Sequence, residues 1–273
     1  MYKVLALDLD GTVLTDNQTI LPELKQAIRS IQNQCHVMIV TGRHHTAAKP
    51  YYMELELTTP IICCNGTYMY DYQSDQVLTH NAIEKQDALR FIELATKFDM
   101  KLVMYITQAM LYSQHNPVIY IEELKQWASQ YPPELRPQIH SVDSFSEQAQ
   151  TADNIWKFVV EGLPGDVERL SDHPWVGETF NGERSWSNRI DFAARGNTKG
   201  GRLAEYVTDL GYDAGQVFAV GDNHNDISMI QYAGLGVAMG NADKTVKSHA
   251  SVICETDNNH AGLARLIRQK IQG

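Results

Sequence analysis

The chain has 273 residues, 43% of them hydrophobic and 21% charged, with a formal net charge of −10. That length allows one large domain or two ordinary ones around a real core. The acidic balance, with no lysine- or arginine-rich face, argues against a nucleic-acid partner, and no apolar stretch approaches the roughly eighteen residues that a membrane helix needs.

Met1-Tyr2-Lys3 leads straight into Val4-Leu5-Ala6-Leu7, a continuous apolar run too short for a helix, which predicts a buried strand. No secretory leader is visible, and Cys35, Cys63, Cys64 and Cys254 form no C-x-x-C pair. They read as small buried hydrophobes, so the expected compartment is a reducing cytoplasm. Leu24, Ala27, Ile28 and Ile31 recur at helical spacing, with Pro22 suited to the first turn. A strand follows at residues 36–40, a helical stretch precedes Pro60, and residues 61–64 resume the strand pattern before Asn65-Gly66. This alternation predicts an α/β fold with a doubly wound, Rossmann-like parallel sheet.

Beyond residue 66 the pattern changes. Residues 68–72 and 76–79 read as a hairpin, and Ala88, Leu89, Phe91, Ile92 and Ala95 mark a helix. Residues 101–112 suggest two strands, 131–137 a loop, 155–160 a strand and 164–170 a helix. Residues 83–188 are accordingly read as an inserted α+β cap, with 1–82 and 189–273 forming the core. The doubly wound pattern then returns: an amphipathic stretch over 199–210, strands at 216–220 and 234–239, a helix over 226–233 and a final helix seeded by Ala261, Leu263, Ala264, Leu266 and Ile267.

Four segments carry chemistry. The first strand runs into Asp8-Leu9-Asp10-Gly11-Thr12, and two carboxylates at the end of an apolar strand are costly unless compensated. A second apolar strand runs into Gly221-Asp222-Asn223-His224-Asn225-Asp226. Two acidic strand ends would repel each other, which a hard divalent cation such as Mg²⁺ resolves; Asp226 also suits a plain helix cap. Thr41-Gly42-Arg43 follows a strand, where a hydroxyl and backbone N–H groups make an anion site. Lys199 falls at a helix start, where its charge opposes the dipole; a solvated lysine is the simpler reading.

The order D-L-D-G-T, T-G-R, lysine, G-D-N-H-N-D resembles the haloacid dehalogenase-like phosphotransferase superfamily, and the long insert resembles its Cof-like branch with a large cap. The resemblance implies Asp8 as nucleophile and Asp10 as general acid–base. It implies that Leu9, Thr41, Gly42, Lys199 and Asn225 hold the phosphoryl group. Mg²⁺ would lie on Asp8, Asp10 through its main-chain carbonyl, and Asp222, with Asp226 in support. In that role Asp10 needs a pKa raised towards neutrality by neighbouring carboxylates.

Val40 to His45, Ile62 to Tyr68 and Trp156-Lys157-Phe158 resemble more closely the bacterial pyridoxal phosphate phosphatases of that branch. The expected activity is Mg²⁺-dependent hydrolysis of a small phosphorylated metabolite, first of all pyridoxal 5′-phosphate. A sugar-phosphate phosphatase or a phosphomutase is the alternative within the superfamily. A non-catalytic receiver-like regulator is the alternative outside it, and would need neither a lid nor the second Asp of D-x-D. His44 and His45 are candidates to line the substrate entrance; Tyr105, Tyr112 and Trp186 are candidates either to stack on a planar ring or to serve the core.

Overall fold

The structure, a computed structural model, describes residues 1–272 apart from the side chains of Ser185 and Trp186. The chain opens with β1 (Val4–Leu7) and β2 (His36–Ile39), followed by β3 (Ile61–Cys63), β4 (Tyr68–Asp71) and β5 (Gln76–His80). Next come β6 (Lys101–Ile106), β7 (Met110–Ser113), β8 (Ile139–Val142), β9 (Ile155–Glu161), β10 (Phe180–Trp186) and β11 (Arg189–Ala194). The last strands are β12 (Val217–Gly221), β13 (Leu235–Ala238) and β14 (Val252–Ile253). The chain divides into two compact units, one of residues 1–43, 51–79 and 198–273, the other of 44–50 and 80–197.

The first unit is built on a parallel sheet of order β14-β13-β12-β1-β2. β1 lies between β12 and β2, with Val4 opposite both Val217 and His36. Every residue of β1 and β12 is buried. Helices cover both faces of such a sheet, which is why these strands read as unbroken apolar runs rather than alternating ones. Helix Pro22–Ile31 starts on its proline and buries Leu24, Ala27, Ile28 and Ile31, as the spacing predicts. Helix Lys199–Asp209 packs Leu203, Tyr206 and Val207 into a core that includes Val4, Ala6, Val217 and Ala219. Because β1 sits between β2 and β12, the strand order reverses there, and the carboxyl ends of these three strands flank one crevice.

The second unit carries a six-stranded sheet of order β10-β11-β9-β6-β7-β8. Its neighbours are antiparallel except β7 and β8. One face is apolar: Met104, Phe158 and Phe192 lie in register across three strands. Phe91, from helix Lys85–Lys97, stacks on Phe158 at 4.9 Å between ring centres and also meets Phe180 and Phe192. The opposite face holds Lys157, whose ammonium lies 2.5 Å from Asp191 and 4.6 Å from the centre of the Tyr105 ring.

This unit continues to Asn197 rather than ending at 188, because β11 pairs with both β9 and β10. It also takes in residues 44–50, which the sequence reading assigned to the core. Among the described residues no helix is long and apolar enough to cross a membrane. All four cysteines are buried and unpaired by disulfides. Phe91→Ala should destabilise the second unit by about 3–5 kcal/mol, the usual cost of removing a buried aromatic ring; urea unfolding followed by fluorescence measures it, and a loss below about 1 kcal/mol would show that the aromatic cluster is not its centre.

Candidate active site

Asp8 follows β1 directly. Its N–H donates to the Val220 carbonyl of β12 at 3.1 Å, so the strand pairing itself delivers the carboxylate to the sheet edge. Lys199 begins its helix behind Thr198, whose hydroxyl caps the Gly201 N–H at 3.0 Å. The Lys199 ammonium has no solvent exposure and donates to Asp8 Oδ1 and Asp226 Oδ1, each at 2.6 Å. Burial alone would lower the Lys199 pKa, but the charges of Asp226 and Asp8 reverse this and raise it. A cation at a helix N-terminus is unfavourable by itself, and the two carboxylates supply the compensation.

Asp226 is fully buried and spends both oxygens. While Oδ1 holds Lys199, Oδ2 accepts from the Asp222 and Asn223 N–H groups at 3.0 Å each. This shapes the loop that carries Asp222. Asp222 accepts from the Thr12 hydroxyl at 3.3 Å and from the Asn241 amide at 3.2 Å. It lies against Gly11, where a β-carbon would stand 2.2 Å from Asp222 Oδ2 and where φ is +76°. Both the contact and the dihedral demand glycine there.

Oxygens of Asp8, Asp222 and Asp226 lie within 4.8 Å of one another. Three carboxylates thus face one ammonium. Burial, and then the charge of Asp226, raise Asp8 well above its ordinary value and push Asp222 up to about 7. The two negative charges left uncompensated fit a hard divalent ion. The fit is to Asp8 and Asp222; the oxygens of Asp226 are already engaged.

Asp10 departs from the expectation of a raised pKa. Partial desolvation among the surrounding chain would raise it, but the charge and hydrogen bonds of Arg43 outweigh this and hold it below its ordinary value. The guanidinium grips both oxygens, Nε to Oδ2 at 2.8 Å and Nη2 to Oδ1 at 2.6 Å, and also donates to Gln18. The expected rise rests on the site's carboxylates alone, and the pair with Arg43 spans 33 positions of sequence. The T-G-R tripeptide was its one available signal.

Thr41 is fully buried, and its hydroxyl accepts from the Arg43 N–H at 3.1 Å. Leu9 has a buried side chain and a carbonyl that accepts from the N–H groups of Thr12, Val13 and Leu14, leaving its own N–H as the group suited to an anion. Gly42 and Asn225 are joined through Asn65, which sequence reasoning did not single out as a site residue. His44 and His45, the candidates for a substrate entrance, have little solvent exposure. Both are buried in the second unit, and His44 Nε2 bonds the Ile106 carbonyl at 2.8 Å. Burial pushes their pKa values down to about 4 and about 2, so both are neutral. Tyr105 is buried beneath Lys157, and the Tyr112 hydroxyl accepts from Lys125 at 2.7 Å. The Trp186 side chain lies outside the described residues.

A family model of haloacid dehalogenase-like hydrolases matches residues 5–267. The chain belongs to that family. It is 41% identical over 268 residues to the pyridoxal phosphate phosphatase YbhA of Escherichia coli, covering 97% of each chain. It is 31% identical to the 5-amino-6-(5-phospho-D-ribitylamino)uracil phosphatase YcsE of Bacillus subtilis, covering 97% of this chain and 94% of that one. A haloacid dehalogenase-like hydrolase from Bacteroides thetaiotaomicron shares the fold, with a TM-score of 0.86, 23% identity and coverage of 98% and 99%.

The raised carboxyl pKa values fix the sign of a pH effect. Between 3.8 and about 7 the Asp222 carboxyl is ionised in the unfolded chain but protonated in the folded one. Its contribution is therefore full at low pH and lost as pH rises through about 7. Metal-free protein should accordingly melt at lower temperature at pH 8 than at pH 5.5. Mg²⁺ should restore more at pH 8, by about 2.7 kcal/mol at a hundredfold excess over its Kd. Scanning calorimetry with and without EDTA measures this, and an Mg²⁺ effect that is equal at both pH values would count against a metal on these carboxylates.

Proposed function

We propose that this chain, a phosphatase of the haloacid dehalogenase-like hydrolases, is a Mg²⁺-dependent phosphomonoesterase working through an aspartyl-phosphate on Asp8. The observation that carries the reading is the buried Lys199 ammonium, 2.6 Å from Asp8. It holds one carboxylate oxygen of Asp8 and leaves the other for attack on phosphorus. Asp8, the main-chain carbonyl of Asp10 and Asp222 are the groups that would hold the ion. When bound, Mg²⁺ offsets the charge of the phosphoryl oxygens and clamps them.

In the first half-reaction an Asp8 oxygen forms a bond to phosphorus, the ester P–O bond breaks, and Asp10 gives its proton to the departing alkoxide. In the second, Asp10 takes a proton from water as that water attacks the aspartyl-phosphate. Asp8 is regenerated and inorganic phosphate is released. Lys199 and the Thr41 hydroxyl, whose own O–H is left to donate, stabilise charge on the transferring oxygens. Because Asp10 must be protonated for the first step, its pair with Arg43 has to open during each turnover. Asp10 is half-exposed, so this opening does not bury a free charge.

Pyridoxal 5′-phosphate is the substrate we favour. Support comes from the 41% identity to YbhA over nearly the whole chain. The named substrate of YcsE likewise couples a phosphate ester to a nitrogen heterocycle. The second unit acts as the cap that selects the leaving group and limits water.

Phosphate release from pyridoxal phosphate, the ribitylamino-uracil phosphate and a set of sugar phosphates tests this. We expect activity with Mg²⁺ and none with EDTA, the highest kcat/KM on a heterocyclic phosphate, and a loss of about 10³-fold or more in Asp8→Asn. Asp10→Asn should lower kcat by about 10²–10⁴-fold. Undiminished turnover in folded Asp8→Asn would overturn the mechanism, and preference for sugar phosphates would overturn the substrate.

A further inference from the structure

We infer that Asn65 is a positioning residue of the phosphate site, tying Asn225 to the Thr41–Gly42 turn. This rests on the phosphatase reading above. The segment leaves β3 in an unusual conformation: Cys64 and Asn65 both have left-handed backbones, with φ of 48° and 60°. Such residues are strained and persist only where their surroundings hold them, commonly at functional sites. Asparagine tolerates this region better than most residues.

The turn is held by the carbonyls on either side of Gly42. Asn65 N–H donates to Thr41 at 3.0 Å, and Cys64 N–H to Arg43 at 3.1 Å. This brings Asn65 Oδ1 so near Gly42 that a β-carbon there would stand 2.8 Å from it. The same oxygen accepts from Asn225 Nδ2 at 3.1 Å, across 160 positions of sequence. One side-chain oxygen therefore sets both the approach to the anion-binding turn and the orientation of the Asn225 amide.

Two further observations place this turn in the site. Asn225 Oδ1 is buried and has no hydrogen-bond partner among the described residues, and a buried polar atom left open in this way marks where a ligand or water completes the group. On the other side, the Gly66 and Thr67 carbonyls accept from Arg202 at 3.0 and 3.4 Å. Arg202 is buried on the helix that begins with Lys199, one turn further on. The turn thus joins three contributors to phosphate binding, each from a different part of the chain. A phosphoryl group needs donors at fixed directions, so loss of this tie acts on binding geometry.

Asn65→Gly keeps access to the left-handed backbone and removes only the amide. We expect its melting temperature to stay within a few degrees of native, its Ki for inorganic phosphate to rise and its kcat/KM to fall about 10–100-fold. If Asn65 works through Asn225, the double variant Asn65→Gly/Asn225→Ala should be no worse than the poorer single one. Gly42→Ala presses on Asn65 Oδ1 from the other side and should raise the phosphate Ki whether or not Asn65→Gly folds; placed in the Asn65→Gly chain, it should add nothing. Unchanged phosphate Ki in Asn65→Gly or in Gly42→Ala, or losses that multiply in the double variants, would overturn the inference. An active Asp8→Asn would instead overturn the phosphatase mechanism, so the two failures are distinguishable.

Discussion

A lysine with no solvent exposure, its ammonium 2.6 Å from two carboxylates, is the constraint around which the first unit is assembled. Taking three charged groups out of water is costly, and removing one partner would leave the others uncompensated. Asp8 comes from the end of β1, Lys199 from the start of a helix and Asp226 from the loop after β12, so the chain must bring three remote segments into register before any of these charges is satisfied. Asp226 extends the constraint by holding the loop amides of Asp222 and Asn223. Geometry at the sheet edge and compensation of buried charge are therefore one requirement.

Two acidic environments sit side by side. Asp8 and Asp222 lie among like charges and are pushed towards the neutral form, whereas Asp10 is held ionised by a two-pronged guanidinium contact. Groups two residues apart thus have pKa values driven in opposite directions, the pattern expected where carboxyls divide the work of attack and proton transfer. A divalent cation would act mainly on the first pair. Arg43 grips Asp10 and Gln18, and so acts on Asp10 separately from the like charges that surround Asp8.

Much of this was legible in the amino-acid sequence, for a local reason. Asp8 and Asp222 follow directly on unbroken apolar strands, and Lys199 stands where helix stability alone would not place it. Each anomaly can be seen within a window of ten residues. Asn65 cannot be seen that way, because its meaning lies in a left-handed dihedral and a bond to Asn225. The Asp10–Arg43 pair spans 33 positions and crosses strands, so side-chain proximity had to come from the fold. β8, with the sequence Ile-His-Ser-Val, and β10, with Phe-Asn-Gly-Glu-Arg-Ser-Trp, carry too few apolar residues to stand out. The second unit continues past 188 because β11 pairs with both β9 and β10.

The chain passes between its two units four times, after residues 43, 50, 79 and 197. The short excursion over 44–50 begins immediately after the Thr41-Gly42-Arg43 turn and carries two histidines whose rings are buried within the second unit. The cap is consequently not a cassette. Excising residues 80–197 would remove the Ile106 carbonyl that His44 bonds and the Tyr105 ring it packs against, leaving its imidazole bare. Exchanging the cap of this chain for another therefore means replacing a discontinuous module, with the seven residues behind T-G-R moved together with the long insert.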